Sequence, residues 1–238
     1  MSYIDIIIDN LEGGYYHPDM QSKLKNGSSM LESGETMYGL DRLKGGTDVT
    51  QSTAGLAFWA LVDKYYQAHH SDTAYYNDKA NGKKKDIPAE VGATLKAFAQ
   101  TIMDNRFNNY SKQFLTPSAQ QIVNANPALT LQFYYSGWNG SGNFQKFANI
   151  VNNAVNSGIN NPQKLYNLIQ QKRRNMGFNN AISNNLFATG ADKLDDIIKR
   201  YFNLDYSEKK KKFIIPLLIA GGLMLFLFSG NKKKRRIK

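Results

Sequence analysis

The chain contains no cysteine. Disulfide staples, thiolate zinc sites and cysteine nucleophiles are excluded together. Histidine is nearly absent too: His17, His69 and His70 are the full complement among 238 residues. A histidine-built metal centre would have to use nearly all of them plus carboxylates, so no metal and no other cofactor is expected. There is no G-x-S-x-G elbow for Ser-His-Asp chemistry and no phosphate-cradling Gly-rich loop. The start of the chain lacks a basic stretch followed by a long apolar one, so no signal peptide is expected. Acidic residues are lacking beyond Glu208, where ten of the 30 Lys and Arg lie. Residues 1–208 therefore carry 20 bases against 19 acids and are close to neutral. A formal charge of +11 thus belongs to the tail, and the electrostatic case for a nucleic-acid partner fails.

The tail holds the one long uncharged run, "FIIPLLIAGGLMLFLFSG", Phe213 to Gly230, between the basic blocks Lys209–Lys212 and Lys232–Lys238. As a helix it would reach roughly 27 Å, and flanking lysine stems make up the difference to a bilayer core of about 30 Å. The expectation is a single membrane span over 213–230, with a basic linker at 206–212 and a basic tail at 231–238. The heavier basic block follows the span and favours a cytoplasmic C-terminus.

The body reads as mainly α. Ser2 is a good N-cap with Asp5 in capping-box position, and Ile4, Ile7, Ile8 and Leu11 form one apolar stripe. Gly13 or Gly14 is expected to cap the C-terminus of that helix. Residues 20–35 read as a loop, and Glu35 to Asp41 as the start of a small hairpin. Helical patterns follow: Ser52 to His70, with Leu56, Trp59, Ala60 and Tyr66 on one side, and a helix opened by Pro88, with Val91, Leu95, Phe98, Ile102 and Met103 as its stripe. Thr116-Pro117 and Asn161-Pro162 are cap-plus-first-turn pairs. Helices also fit 128–135, 144–156, 163–175 and 191–202. His69-His70 is read as satisfying a helix end.

Carboxylates are then the chemistry available. Glu12 falls at the last turn of the first helix, where the macrodipole disfavours an ionised carboxyl and is expected to raise its pKa. A protonated glutamic acid is what a glycosidase uses to protonate a leaving oxygen. Glu32, Glu35 and Asp41 lie downstream and are candidate partners.

"LEGGYYHPD", Leu11 to Asp19, followed by "SGETMYGLD", Ser33 to Asp41, resembles the N-terminal signature of the glycoside hydrolase family 108 muramidases, phage-type peptidoglycan hydrolases of the lysozyme superfamily. Glu12-Gly13-Gly14-Tyr15 and Pro18 carry the first part of the resemblance; Gly34, Thr36, Gly39 and Leu40 carry the second. Gly137-Trp138, within 128–174, is similar to a "GW" motif in that family's helical C-terminal half. The resemblance implies a lysozyme-like α+β fold: a helix delivering the glutamate, a small β-hairpin, then a helical bundle. It implies a catalytic region at 1–127 and a helical, peptidoglycan-binding half at 128–205. By the same resemblance Glu12 is the general acid, with Glu35 and Thr36 as its catalytic companions and Tyr15, Tyr38, Asp41 and Trp138 as substrate-binding residues. Leu31 stands where the family carries an aspartate, which leaves Glu32, Glu35 or Asp41 to act as base in a hydrolase. With Glu12 alone the chemistry would be that of a lytic transglycosylase.

The partners expected are peptidoglycan glycan strands and membrane lipid, with a second copy of the chain or other virion membrane proteins also admitted. The setting expected is a bacteriophage protein anchored in a virion membrane or in the host envelope. The rivals are a non-catalytic virion membrane protein that only binds glycan, and a holin-type membrane-disrupting protein, which the large near-neutral body disfavours.

Overall fold

The first helix starts where its cap places it. In the computed structural model, which describes residues 2–23, 34–78, 84–175 and 181–206, helix α1 spans Tyr3–Asn10. The Ser2 hydroxyl accepts from the Asp5 amide, and the Asp5 carboxylate accepts from the Ser2 amide, closing a reciprocal capping box. Burial makes it harder for the Asp5 carboxyl to ionise. Hydrogen bonds from Ser2 and the charge of Lys96 outweigh that effect and hold it below the usual carboxylate range. Ile4, Ile6, Ile7 and Ile8 are buried.

The end of α1 differs from the expectation. Leu11 caps it in a right-handed conformation, and neither Gly13 nor Gly14 has a positive φ. These glycines are required for close approach instead. A Cβ on Gly14 would lie 2.6 Å from the Tyr75 carbonyl oxygen, and one on Gly13 would lie 2.9 Å from the Tyr76 ring.

The chain then enters a three-stranded antiparallel sheet, β1 (Tyr15–Tyr16), β2 (Thr36–Met37) and β3 (Leu40–Asp41), in the order β1-β2-β3. Tyr15 pairs with Met37, and Thr36 pairs with both Tyr16 and Asp41. The hairpin between β2 and β3 turns on Tyr38 and Gly39, at φ 56° and 73°. Positive φ at both central residues gives the turn a twist that suits adjacent strands.

Nine further helices follow among the described residues: α2 (Thr47–Thr50), α3 (Thr53–Tyr65), α4 (Thr73–Tyr76), α5 (Ala89–Phe114), α6 (Pro117–Ala125), α7 (Pro127–Trp138), α8 (Ser141–Asn156), α9 (Pro162–Asn175) and α10 (Ala181–Phe202). The protein is thus mainly helical with one small sheet, as its periodicity indicates. The buried side of α3 is formed by Gly55, Phe58, Trp59 and Val62, followed by Tyr66 at its C-cap, whereas Leu56 and Ala60 face solvent. Asn126-Pro127 is a third cap-plus-first-turn pair, and its side chain accepts from the Leu129 amide.

Helix α7 is the centre of the body. Its sequence, PALTLQFYYSGW, is apolar nearly all round, and ten of its twelve residues are buried. It packs against α1, α5, α6, α8, α9 and α10. One core therefore runs continuously through residue 127, where the boundary between catalytic and C-terminal halves is expected. No helix of the described residues is long and apolar enough to cross a membrane. The span expected at 213–230, the basic segments beyond Tyr206, and Leu31 and Glu32 lie outside the described residues.

Candidate active site

Glu12 sits two residues past the last residue of α1, half-buried, and its amide still donates to the Ile7 carbonyl at 3.0 Å. Its carboxyl group packs on the β2–β3 turn. A Cβ on Gly39 would lie 2.1 Å from Glu12 Oε2 and 3.0 Å from Trp138 Nε1. Glycine at 39 thus has two causes, the left-handed backbone and the carboxylate against its Cα.

Three elements converge on this point through a short chain of backbone contacts. The Gly14 amide donates to the Tyr76 carbonyl at 2.8 Å, tying β1 to α4, and the Tyr38 amide donates to the Gly14 carbonyl at 3.1 Å. The Trp138 indole N–H donates to the Tyr38 carbonyl at 3.0 Å, which fixes the hairpin turn to the end of α7. The same end of α7 is held from the other side by Arg106 of α5. Its guanidinium donates to the Gly137 carbonyl at 3.2 Å, to the Gly45 carbonyl, and to Asp48 at 2.5 and 2.7 Å. Only 3 % of Arg106 is exposed, so this is a buried charge satisfied on several sides, which is the condition under which burial is tolerated.

Two partly exposed tyrosines lie within electrostatic reach of Glu12. Burial and then the negative charge of Glu12 push the Tyr76 hydroxyl up from its ordinary value. The same two causes, in the same order, push Tyr135 up to about 12. Both phenols therefore stay protonated at neutral pH and can donate hydrogen bonds. Tyr135 also lies 5.2 Å under the guanidinium of the buried Arg173.

The other expected site residues occupy different positions. Glu35 accepts from the Tyr15 hydroxyl at 2.8 Å and from Arg42 at 2.7 Å, and Arg42 also holds both oxygens of Asp63, at 2.5 and 2.8 Å. The side chain of Glu35 is only 12 % exposed. Tyr15 and Tyr38 are buried completely, and Trp138 is 5 % exposed. None of these rings offers a face to a ligand here: Tyr15 orients Glu35, and Trp138 braces the turn beside Glu12. Asp41 accepts from the Leu43 and Lys44 amides, both at 2.7 Å, closing the turn after β3. Thr36 is half-buried in the central strand.

The residues brought to Glu12 are thus Gly39, Trp138, Tyr76 and Tyr135. Sequence reasoning does not single out Tyr76, which stands on a four-residue helix with no motif around it. The only signal for it is indirect: Gly13-Gly14 demands that something pack closely there.

Comparisons with protein-family models, with curated protein sequences and with solved structures give no match.

Proposed function

We propose that this chain is a membrane-anchored peptidoglycan-cleaving enzyme in which Glu12 protonates the glycosidic oxygen between MurNAc and GlcNAc. One observation carries the reading. A helix end presents Glu12 against the Gly39 turn of a small hairpin, with two partly exposed tyrosines within electrostatic reach and a helical body following. That order of helix, hairpin and bundle is the lysozyme-like arrangement the motif resemblance implies. Glu12 gives its proton to the leaving oxygen as the C1–O bond breaks, and positive charge develops on the sugar. The rings of Tyr76 and Tyr135 supply flat apolar faces for sugar packing, and their hydroxyls supply donors.

Two endings are chemically available. In hydrolysis a second carboxylate directs water to C1. In lytic transglycosylation the sugar's own 6-hydroxyl attacks C1, its proton passes to the Glu12 carboxylate, and a 1,6-anhydro ring results. Glu35 and Asp41 are both engaged elsewhere, the first by Tyr15 and Arg42 and the second by turn amides, and this favours the transglycosylase ending as the second reading. The C-terminal anchor places the body at a membrane surface, in a virion membrane or the host envelope, where it would open the wall at phage entry or exit.

The test is release of soluble fragments from purified sacculi by the full chain in detergent, followed by mass spectrometry of the products. Fragments with reducing MurNAc ends support hydrolysis, and fragments lighter by one water support transglycosylation. Saturable glycan binding with no fragments would reject the enzymatic reading in favour of a binding protein.

A further inference from the structure

The three histidines do not share one environment, although two are adjacent. His69 turns toward Asp86, with Nε2 2.7 Å from Oδ2, and stacks on Tyr75 at 3.8 Å between ring centroids. His70 turns the other way and places Nδ1 2.9 Å from Asp19 Oδ2. His17 meets the same carboxylate oxygen with its Nδ1 at 3.4 Å, and the two imidazoles stand nearly edge-to-face, 5.5 Å apart. Ligand-capable atoms of His17, Asp19 and His70 all lie within 4.8 Å of one another.

We propose that His17, Asp19 and His70 form a binding site for a zinc-class divalent cation. Two imidazoles and one carboxylate are a donor set that zinc takes with a fourth position left to water, whereas magnesium and calcium favour oxygen-only sets. The spacing fits. Bonds of about 2.0–2.1 Å in a tetrahedron put neighbouring ligand atoms roughly 3.3 Å apart. The His17–Asp19 separation of 3.4 Å is already at that value, and the His70–Asp19 separation of 2.9 Å needs only a small opening.

The Asp19 amide donates to His17 Nδ1 at 3.2 Å, so that nitrogen is an acceptor, and a bound ion would take its lone pair in place of the amide. His70 binds a metal through Nδ1 in the neutral tautomer that carries its proton on Nε2, which frees the Nδ1 lone pair now facing Asp19. The side chains are 29 %, 56 % and 49 % exposed in the order His17, Asp19, His70, so an ion can enter from solvent and keep a water ligand.

The site joins two segments far apart in sequence. His17 directly follows β1, and Asp19 belongs to the 3-10 helix Pro18–Lys23. His70 ends the 3-10 helix Gln67–His69 that extends α3. A bound ion clamps the exit of β1 to the end of α3, stabilising the side of the sheet that leads from Glu12.

The test is calorimetric titration of the untagged full chain, in detergent and freed of metal with EDTA, with ZnCl2, and in parallel with MgCl2. The expected result is one zinc per chain, no magnesium binding, and a zinc-dependent rise in Tm. Asp19→Asn, which preserves side-chain shape, and His70→Ala should each weaken zinc binding at least about tenfold, while His69→Ala leaves it unchanged. Absence of saturable zinc binding overturns the proposal, as does equal binding by wild type, Asp19→Asn and His70→Ala.

Discussion

Two glutamates of the front region, Glu12 and Glu35, have surroundings that differ in kind. Glu35 is enclosed by donors: a tyrosine hydroxyl takes one oxygen and an arginine the other, and that arginine is shared with a second acid. Glu12 is set against backbone and rings, with Gly39 under its carboxyl and the phenols of Tyr76 and Tyr135 nearby. The first arrangement neutralises a carboxylate and fixes a loop. The second sets the carboxyl of a half-buried residue against the Gly39 turn, with two partly exposed tyrosines within electrostatic reach. Proximity in a motif therefore does not assign a shared role: a carboxylate bound by both Tyr15 and Arg42 holds the loop that carries it.

The contrast can be broken at its sharpest point with Gly39→Ala. The new methyl would overlap Glu12 Oε2, and alanine at φ 73° is strained besides. Displacing the acid by about 1 Å should lower turnover on sacculi about 100-fold, and unfolding by heat should show a loss of about 1 kcal/mol. Turnover within threefold of wild type would mean that Glu12 need not sit where Gly39 admits it.

On the structural side, Arg42→Ala removes the shared partner of Glu35 and Asp63, as well as a contact over the Trp59 ring at 5.1 Å. Both acids are partly exposed, so the cost is below that of a fully buried pair, about 2 kcal/mol or roughly 6 °C in Tm. Trp138→Phe tests the brace between the halves of the site. It removes the donor to the Tyr38 carbonyl and should cost about 1.5 kcal/mol, read by denaturant unfolding, with a smaller fall in activity.

The mildest change is Ser2→Ala, which unmakes the capping box of α1 and should cost about 1 kcal/mol at pH 7. The Asp5 carboxyl is held below its usual value in the folded chain. Its contribution is therefore present above the unfolded value of 3.8 and lost as pH falls through the lower folded one. The difference between Ser2→Ala and wild type should shrink correspondingly in unfolding experiments below about pH 4.

Much of this architecture is legible in the residues. The Ser2–Asp5 box, the Thr116-Pro117 pair and the 3.6-residue stripes mark α1, α6 and the long α5, because local capping and amphipathicity decide those elements. What escaped the sequence is non-local. Leu56 fits the helical period of α3 yet is exposed, since the turn at Val49 and Trp59 sets the face that α3 buries. Gly13-Gly14 looks like a helix stop, and only the arrival of α4 from sixty residues downstream reveals it as room for Tyr75 and Tyr76. The candidate site divides along the same line. Glu12 and Gly39 are visible as a motif. Tyr76 and Tyr135, and the capture of Glu35 by Arg42, depend on where α4, α7 and β2 are brought together.

The most direct measurement is the rate of fragment release from sacculi by Glu12→Gln and Glu35→Gln side by side, with circular dichroism and Tm recorded for each. The account predicts that Glu12→Gln loses about 1,000-fold or more while keeping wild-type fold and Tm, and that Glu35→Gln keeps activity within about tenfold while Tm falls. Wild-type-like fragment release from Glu12→Gln would contradict it.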